Sequence, residues 1–163
     1  MATSLPPPLT AAQRRARLKR VEKIARDLGF VGHVEYRHIW SKTGGAQFGR
    51  GQTEADDLLV VDAGAFVRDA NPDDFSLTAM IAHERGHQLL VRHPRIAKQV
   101  EGRISEASEE ILASLLGAIL CENTVDIENL TFKAVAELTD HGESPDAAFM
   151  KLENLKNLFE VLL

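Results

Sequence analysis

The run from Ile111 to Leu120 constrains this chain more than any other. Ile111, Leu112, Leu115, Leu116, Ile119 and Leu120 cover most of the circumference of a helix. A helix apolar nearly all round must be surrounded by other elements, so the chain has to build a bundle about it. With Ser105 as N-cap, this central helix is expected over 105–122. Two amphipathic helices should follow within 127–163, one over Ile127 to Thr139 and one capped by Ser144 with Pro145 first. The stripe of that last helix is Phe149, Leu152, Leu155, Leu158, Phe159 and Leu162.

Upstream, the period changes. Residues 1–9, with Pro6, Pro7 and Pro8, form a leader without a core of its own. Thr10 and Gln13 make a capping box for a helix over 10–29, whose Leu18, Val21, Ile24 and Leu28 share a face until Gly29 ends it. The opposite face carries Arg14, Arg15, Arg17, Lys19, Arg20, Lys23 and Arg26. It reads as the solvated side of a packed helix, with a contact surface for an acidic partner or nucleic acid as the rival. Strand-like runs follow over His33 to Trp40, Ala46 to Phe48 and Leu58 to Asp62, giving a small sheet within 31–62. Tyr36 and Trp40 alternate with His38 on one strand face, a pattern of core residues, and His33 and His38 read as ordinary strand or loop residues. Asn71 as cap and Pro72 as first residue begin a helix over 72–93 that Pro94 ends. The fold class expected is therefore α+β: a small antiparallel three-stranded sheet packed on a helical bundle, one domain over 10–163.

Composition excludes several classes. In 163 residues no window approaches a membrane span, and the N-terminus lacks the order of a secretory signal, so a cytoplasmic protein is expected. The net charge of −5 is uneven: beyond residue 103 only Lys133, Lys151 and Lys156 are basic. Acidic character and the lack of aromatics among the basic residues of the first helix disfavour nucleic acid. Cys121 is the only cysteine, so a bound metal must be held by histidine and carboxylate.

His83-Glu84-Arg85-Gly86-His87 is an HExxH sequence. Residues at i and i+4 stack on one helix face and can offer two imidazole nitrogens to one ion, with Glu84 near enough to act on a water. Three protein ligands are expected of a catalytic zinc site. The third is expected from the central helix, where Glu106, Glu109 and Glu110 precede the apolar run. From Glu110 the positions i+4, i+7 and i+11 are Ser114, Gly117 and Cys121, a stripe of small residues that would let this helix approach the histidine helix closely. Glu110 is therefore the ligand expected. Glu106 and Glu109 suit the positive end of the helix dipole. His93 has the spacing of a longer HExxHxxGxxH pattern, but Leu90 replaces its glycine, leaving His93 about 240° round the helix from His87. It is read as a polar residue suited to the helix C-terminus.

HExxH on one helix with a glutamate on the next resembles the gluzincin class of zinc metallopeptidases. The finer resemblance is to the ImmA/IrrE type, which shows a leading helix, a small sheet, an AHELGH-like motif and an E-x-x-A-(D/N) segment. Here Ala82 to His87 reads AHERGH and Glu110 to Ser114 reads EILAS, so the resemblance spans roughly residues 10 to 122. It implies a zinc-dependent intracellular peptidase with His83, His87 and Glu110 as ligands and Glu84 as acid/base. It also implies a protein substrate such as a repressor. Arg85 departs from the family's apolar residue, and Ser114 stands where an Asp or Asn commonly supports a ligand histidine. Both departures favour a rival of another class, a metal-binding regulatory module without turnover. His141, in the loop 140–144, and Tyr36 are the candidate donors to an oxyanion. A substrate could add as a strand in a cleft between the sheet edge and the HExxH helix.

Overall fold

The structure is a computed structural model that describes residues 5–42, 44–100 and 106–163, the side chains of 106 and 107 excepted. Among them are seven α-helices and one three-stranded sheet, a mixed α+β architecture. The chain divides into two compact units, Met1–Ile81 and Ala82–Leu163.

In the first unit, α1 (Ala11–Asp27) carries the expected capping box. The Gln13 N–H donates to Thr10 Oγ1, and the Thr10 N–H donates to the Gln13 side chain. Its end is a Schellman turn, with Gly29 at φ 84° and the Phe30 N–H reaching the Ala25 carbonyl. Several of the basic side chains are engaged within the unit. Arg20 pairs with Asp69, Lys23 pairs with Asp27, and Arg26 donates to the carbonyls of Phe30 and Gly32.

The sheet comprises β1 (His33–Arg37), β2 (Ala46–Gly49) and β3 (Leu58–Asp62) in the order β1-β3-β2. It is mixed, correcting the antiparallel expectation: β3 runs parallel to β1 and antiparallel to β2. The reason is compositional. Leu-Leu-Val-Val-Asp is the one strand without an alternating polar face, so it takes the centre, and a strand between two oppositely directed neighbours must be parallel to one of them. β1 also stops at Arg37, so Trp40 lies beyond it and is exposed rather than core. Asp62 ends β3 and caps α2 (Ala63–Asp69) by accepting from the Gly64 N–H; the sequence reading had no element there.

The following helix, α3, spans Leu77–Arg92, five residues later than its expected start. Asn71 and Pro72 fit a turn as well as a cap. Asn71 Oδ1 accepts from the Asp73 N–H, and the helix starts where Ser76 Oγ accepts from Ala79 and Asp69 accepts from the Leu77 N–H. The core of this unit gathers Val21, Phe30, Leu59, Val61, Leu77 and Ile81.

The second unit takes α3 from Ala82 onward with α4 (Pro94–Val100), α5 (Glu106–Leu120), α6 (Thr124–Asp140) and α7 (Pro145–Leu162). Pro94 ends α3 as expected and opens α4, a short helix absent from the sequence reading. α5 is the buried centre, with Ala113 to Ala118 all inaccessible, and it packs against α6 and α7. Its expected cap, Ser105, lies outside the described residues. α6, capped by Asn123, starts three residues before the expected Ile127, and Ser144 with Pro145 opens α7 as expected. Of the α7 stripe, Leu152 and Phe159 are buried, while Phe149 and Leu158 are exposed.

A hydrogen-bond chain ties α1, β1 and the leader together. Arg17 donates to the Tyr36 hydroxyl at 2.7 Å, and His38 lies 2.7 Å from that hydroxyl and 2.6 Å from the Pro7 carbonyl. A carbonyl only accepts, so His38 Nε2–H donates to Pro7, and Nδ1 accepts from Tyr36. Arg17 also lies over the Phe66 ring at 4.4 Å. Replacing Tyr36 by Phe interrupts the chain at its middle. It should lower stability by about 1 kcal/mol, read as a lower urea midpoint at unchanged slope.

Candidate metal centre

The imidazoles of His83 and His87 project from one face of α3, one turn apart, with ring centroids 4.8 Å from each other. Glu110 reaches them from α5. Its Oε2 lies 3.0 Å from His83 Nε2, its Oε1 lies 3.0 Å from His87 Nε2, and the two Nε2 atoms are 3.2 Å apart. One atom from each of the three residues falls within 4.8 Å of the others, so His83, His87 and Glu110 form a group that can hold a metal ion. This is the ligand set expected from sequence.

α5 comes this close because glycine faces backbone on both helices. A Cβ on Gly86 would overlap the Ala113 carbonyl oxygen and sit 2.8 Å from its carbon. One on Gly117 would sit 2.9 Å from the Ala82 carbonyl carbon and 3.0 Å from the His83 nitrogen. The small-residue stripe from Ser114 through Gly117 thus lets α5 lie against α3 as expected. The matching role of Gly86 was missed, although a glycine inside a helical run is itself a signal of close packing.

The outward nitrogens are also held. His83 Nδ1 is 2.9 Å from Ser114 Oγ, which is wholly buried, and His87 Nδ1 is 3.0 Å from Glu109 Oε1. Both rings are therefore oriented from behind, as is usual for imidazoles that hold a metal. Ser114 thus supports His83 although it is neither Asp nor Asn. Glu109, read from sequence as a charge suited to the helix dipole, supports the second histidine. The Glu106 side chain lies outside the described residues.

The electrostatics separate the two histidines. Burial disfavours the charged form of both. At His83 burial prevails over the opposing bond to Glu110, and the pKa falls below the ordinary 6.5. At His87 the bond to Glu110, the charge of Glu84 and the bond to Glu109 together outweigh burial, raising the pKa to about 9. Hydrogen bonds from both imidazoles hold Glu110 well below the usual carboxylate range. Cys121 is buried nearby in sequence but inert, its thiol pushed up to about 12 by burial and then by the charge of Asp126.

The remaining candidates stand elsewhere. His141 is exposed at the C-cap of α6 and outside the ligand group, its N–H donating to the carbonyls of Glu137 and Leu138. Tyr36 is committed to Arg17 and His38. His93 lies outside the group too; its Nδ1 accepts from the Ile96 N–H at 3.4 Å at the start of α4. Arg85 donates to the wholly buried Gln88 at 2.7 Å. Sequence reading gave no role to Lys133 of α6, whose Nζ is 2.9 Å from Glu137 Oε1 and 3.7 Å from Glu110 Oε2. No family model, curated protein or solved structure matches the chain. Among the described residues no helix is long and apolar enough to cross a membrane.

Two measurements test this geometry. Gly86→Ala gains about 1 kcal/mol of helix propensity but must push a methyl into the Ala113 carbonyl, an overpacking cost of about 3 kcal/mol. The variant should melt lower and lose metal affinity. The second concerns protons. With a folded pKa of about 9 against 6.5 unfolded, His87 stabilises the metal-free protein below pH 6.5, and this contribution fades as pH rises through about 9. Since a ligand imidazole must give up its proton, zinc binding near pH 7.5 should release roughly one proton. Calorimetry in buffers of different ionisation enthalpy reads that number directly.

Proposed function

We propose that this chain is a zinc-dependent peptidase of the gluzincin kind, akin to the ImmA/IrrE type, with a peptide or protein substrate such as a repressor. The observation that carries the reading is the convergence of His83 Nε2, His87 Nε2 and a Glu110 carboxylate oxygen, each imidazole braced from behind by Ser114 or Glu109. The donor chemistry fits zinc, which takes imidazole and carboxylate and, with three protein ligands, keeps a fourth position open. An ion held there supplies a Lewis acid and an acidified water.

The chain's own residues supply the rest. Glu84 follows His83 on α3, is half-buried, and its charge acts on His87, which places it close to the ligand set. It takes a proton from the attacking water and delivers it to the leaving nitrogen. A second reading, a metal-binding regulatory module without turnover, draws on one observation: Arg85 is tied to the buried Gln88 and so has a structural use that needs no substrate.

Glu84→Gln separates the two readings. Under the peptidase reading it should keep stoichiometric zinc and lose cleavage of a peptide library by about 100-fold or more. His83→Ala should lose the zinc itself. Zinc in wild type and Glu84→Gln with cleavage in neither refutes the peptidase, and protein that never holds zinc refutes both readings.

A further inference from the structure

Lys133 is a cation from a third helix, α6, that stands beside the Glu110 carboxylate. Its Nζ stands 3.7 Å from Glu110 Oε2, and Glu137, one turn on in α6, holds it at 2.9 Å. The side chain is only 33% accessible, so the ammonium is fixed at the rim of the site rather than loose in solvent. An i,i+4 lysine–glutamate pair contributes only about 0.3–0.5 kcal/mol. That does not by itself account for an ammonium aimed at a metal-ligand carboxylate, because an ion and an ammonium on the same carboxylate repel each other. The arrangement becomes favourable when a further negative charge forms between them.

Peptide hydrolysis creates such a charge. We propose that Lys133 is a catalytic residue that donates a hydrogen bond to the carbonyl oxygen of the scissile bond and stabilises the oxyanion, with Glu137 as its positioning residue. The assignment rests on the peptidase reading. In the step, the water oxygen bonds to the carbonyl carbon while Glu84 takes one water proton. The carbonyl π pair moves onto the oxygen facing Lys133. Collapse re-forms the C=O bond and breaks the C–N bond, and the proton on Glu84 goes to the departing nitrogen, leaving a carboxyl group and an amine. Lys133 keeps its own proton throughout. His141, exposed at a helix end, and Tyr36, committed to Arg17 and His38, are not placed to do this by any contact in the structure.

The test uses the full chain loaded with Co2+ and compares wild type, Lys133→Met and Lys133→Arg. Inorganic phosphate serves as the anion probe, followed through the visible spectrum of the cobalt, and a peptide library reads turnover. Lys133→Met should keep Co2+, bind phosphate about tenfold more weakly, and lose about 100-fold in kcat with little change in KM. Lys133→Arg should recover most of both. Phosphate binding or kcat at the wild-type level in Lys133→Met overturns the assignment while leaving the peptidase standing. Loss of Co2+ from both Lys133 variants also overturns it, since Lys133 would then serve only to place Glu110. Wild-type protein that binds Co2+ yet cleaves nothing refutes the peptidase reading, and the assignment with it.

Discussion

The approach of α5 to α3 is the constraint on which the second unit depends. Backbone meets backbone at Gly86 against Ala113 and at Gly117 against Ala82 and His83. Only that proximity lets a carboxylate on one helix span two imidazoles on the other, with 3.0 Å to each. The same contact explains why the centre of the bundle is so uniformly apolar. A helix whose face is occupied by backbone contact has its remaining sides free to be filled by α6 and α7, and Leu115 and Leu116 are buried there. The two imidazoles thus lie beside this core, while the carboxylates of Glu109 and Glu110 remain partly accessible.

That setting gives the two histidines unlike characters. His83 is the more deeply buried and is kept neutral. His87 lies among Glu84, Glu109 and Glu110 and holds a proton instead. Three carboxylates around two imidazoles carry an excess of negative charge, which one imidazolium together with Lys133 partly offsets. A divalent cation can take over the neutralising role of the proton on His87, so the cluster is coherent in either state.

Much of this could be read from the chain, for identifiable reasons. HExxH carries its geometry in its spacing, and the choice of Glu110 followed from the small residues at i+4 and i+7 from it. Caps at Thr10 and Ser144 were readable because each is a local hydrogen bond, and Pro145 because its fixed φ suits a first helical position. The start of α3 was not, because Asn71-Pro72 is equally good turn chemistry and Ser76 competed successfully. Strand direction was also hidden. Leu58 to Asp62 was readable as a strand, but placing it between β1 and β2 depends on long-range pairing. Lys133 escaped notice because sequence shows only its i,i+4 partner, Glu137, and not the carboxylate of another helix.

The group behind His83 is the hydroxyl of Ser114 rather than a carboxylate. A carboxylate behind a metal-bound imidazole only accepts, and so it commits His83 to one tautomer. A hydroxyl can rotate. With His83 Nε2–H turned to Glu110, the hydroxyl donates to Nδ1; with Nε2 surrendered to an ion, it accepts from Nδ1–H over the same 2.9 Å. His83 can therefore exchange tautomers without turning its ring. The consequence is that one buried hydroxyl can serve His83 in either tautomer, whichever nitrogen faces the carboxylate.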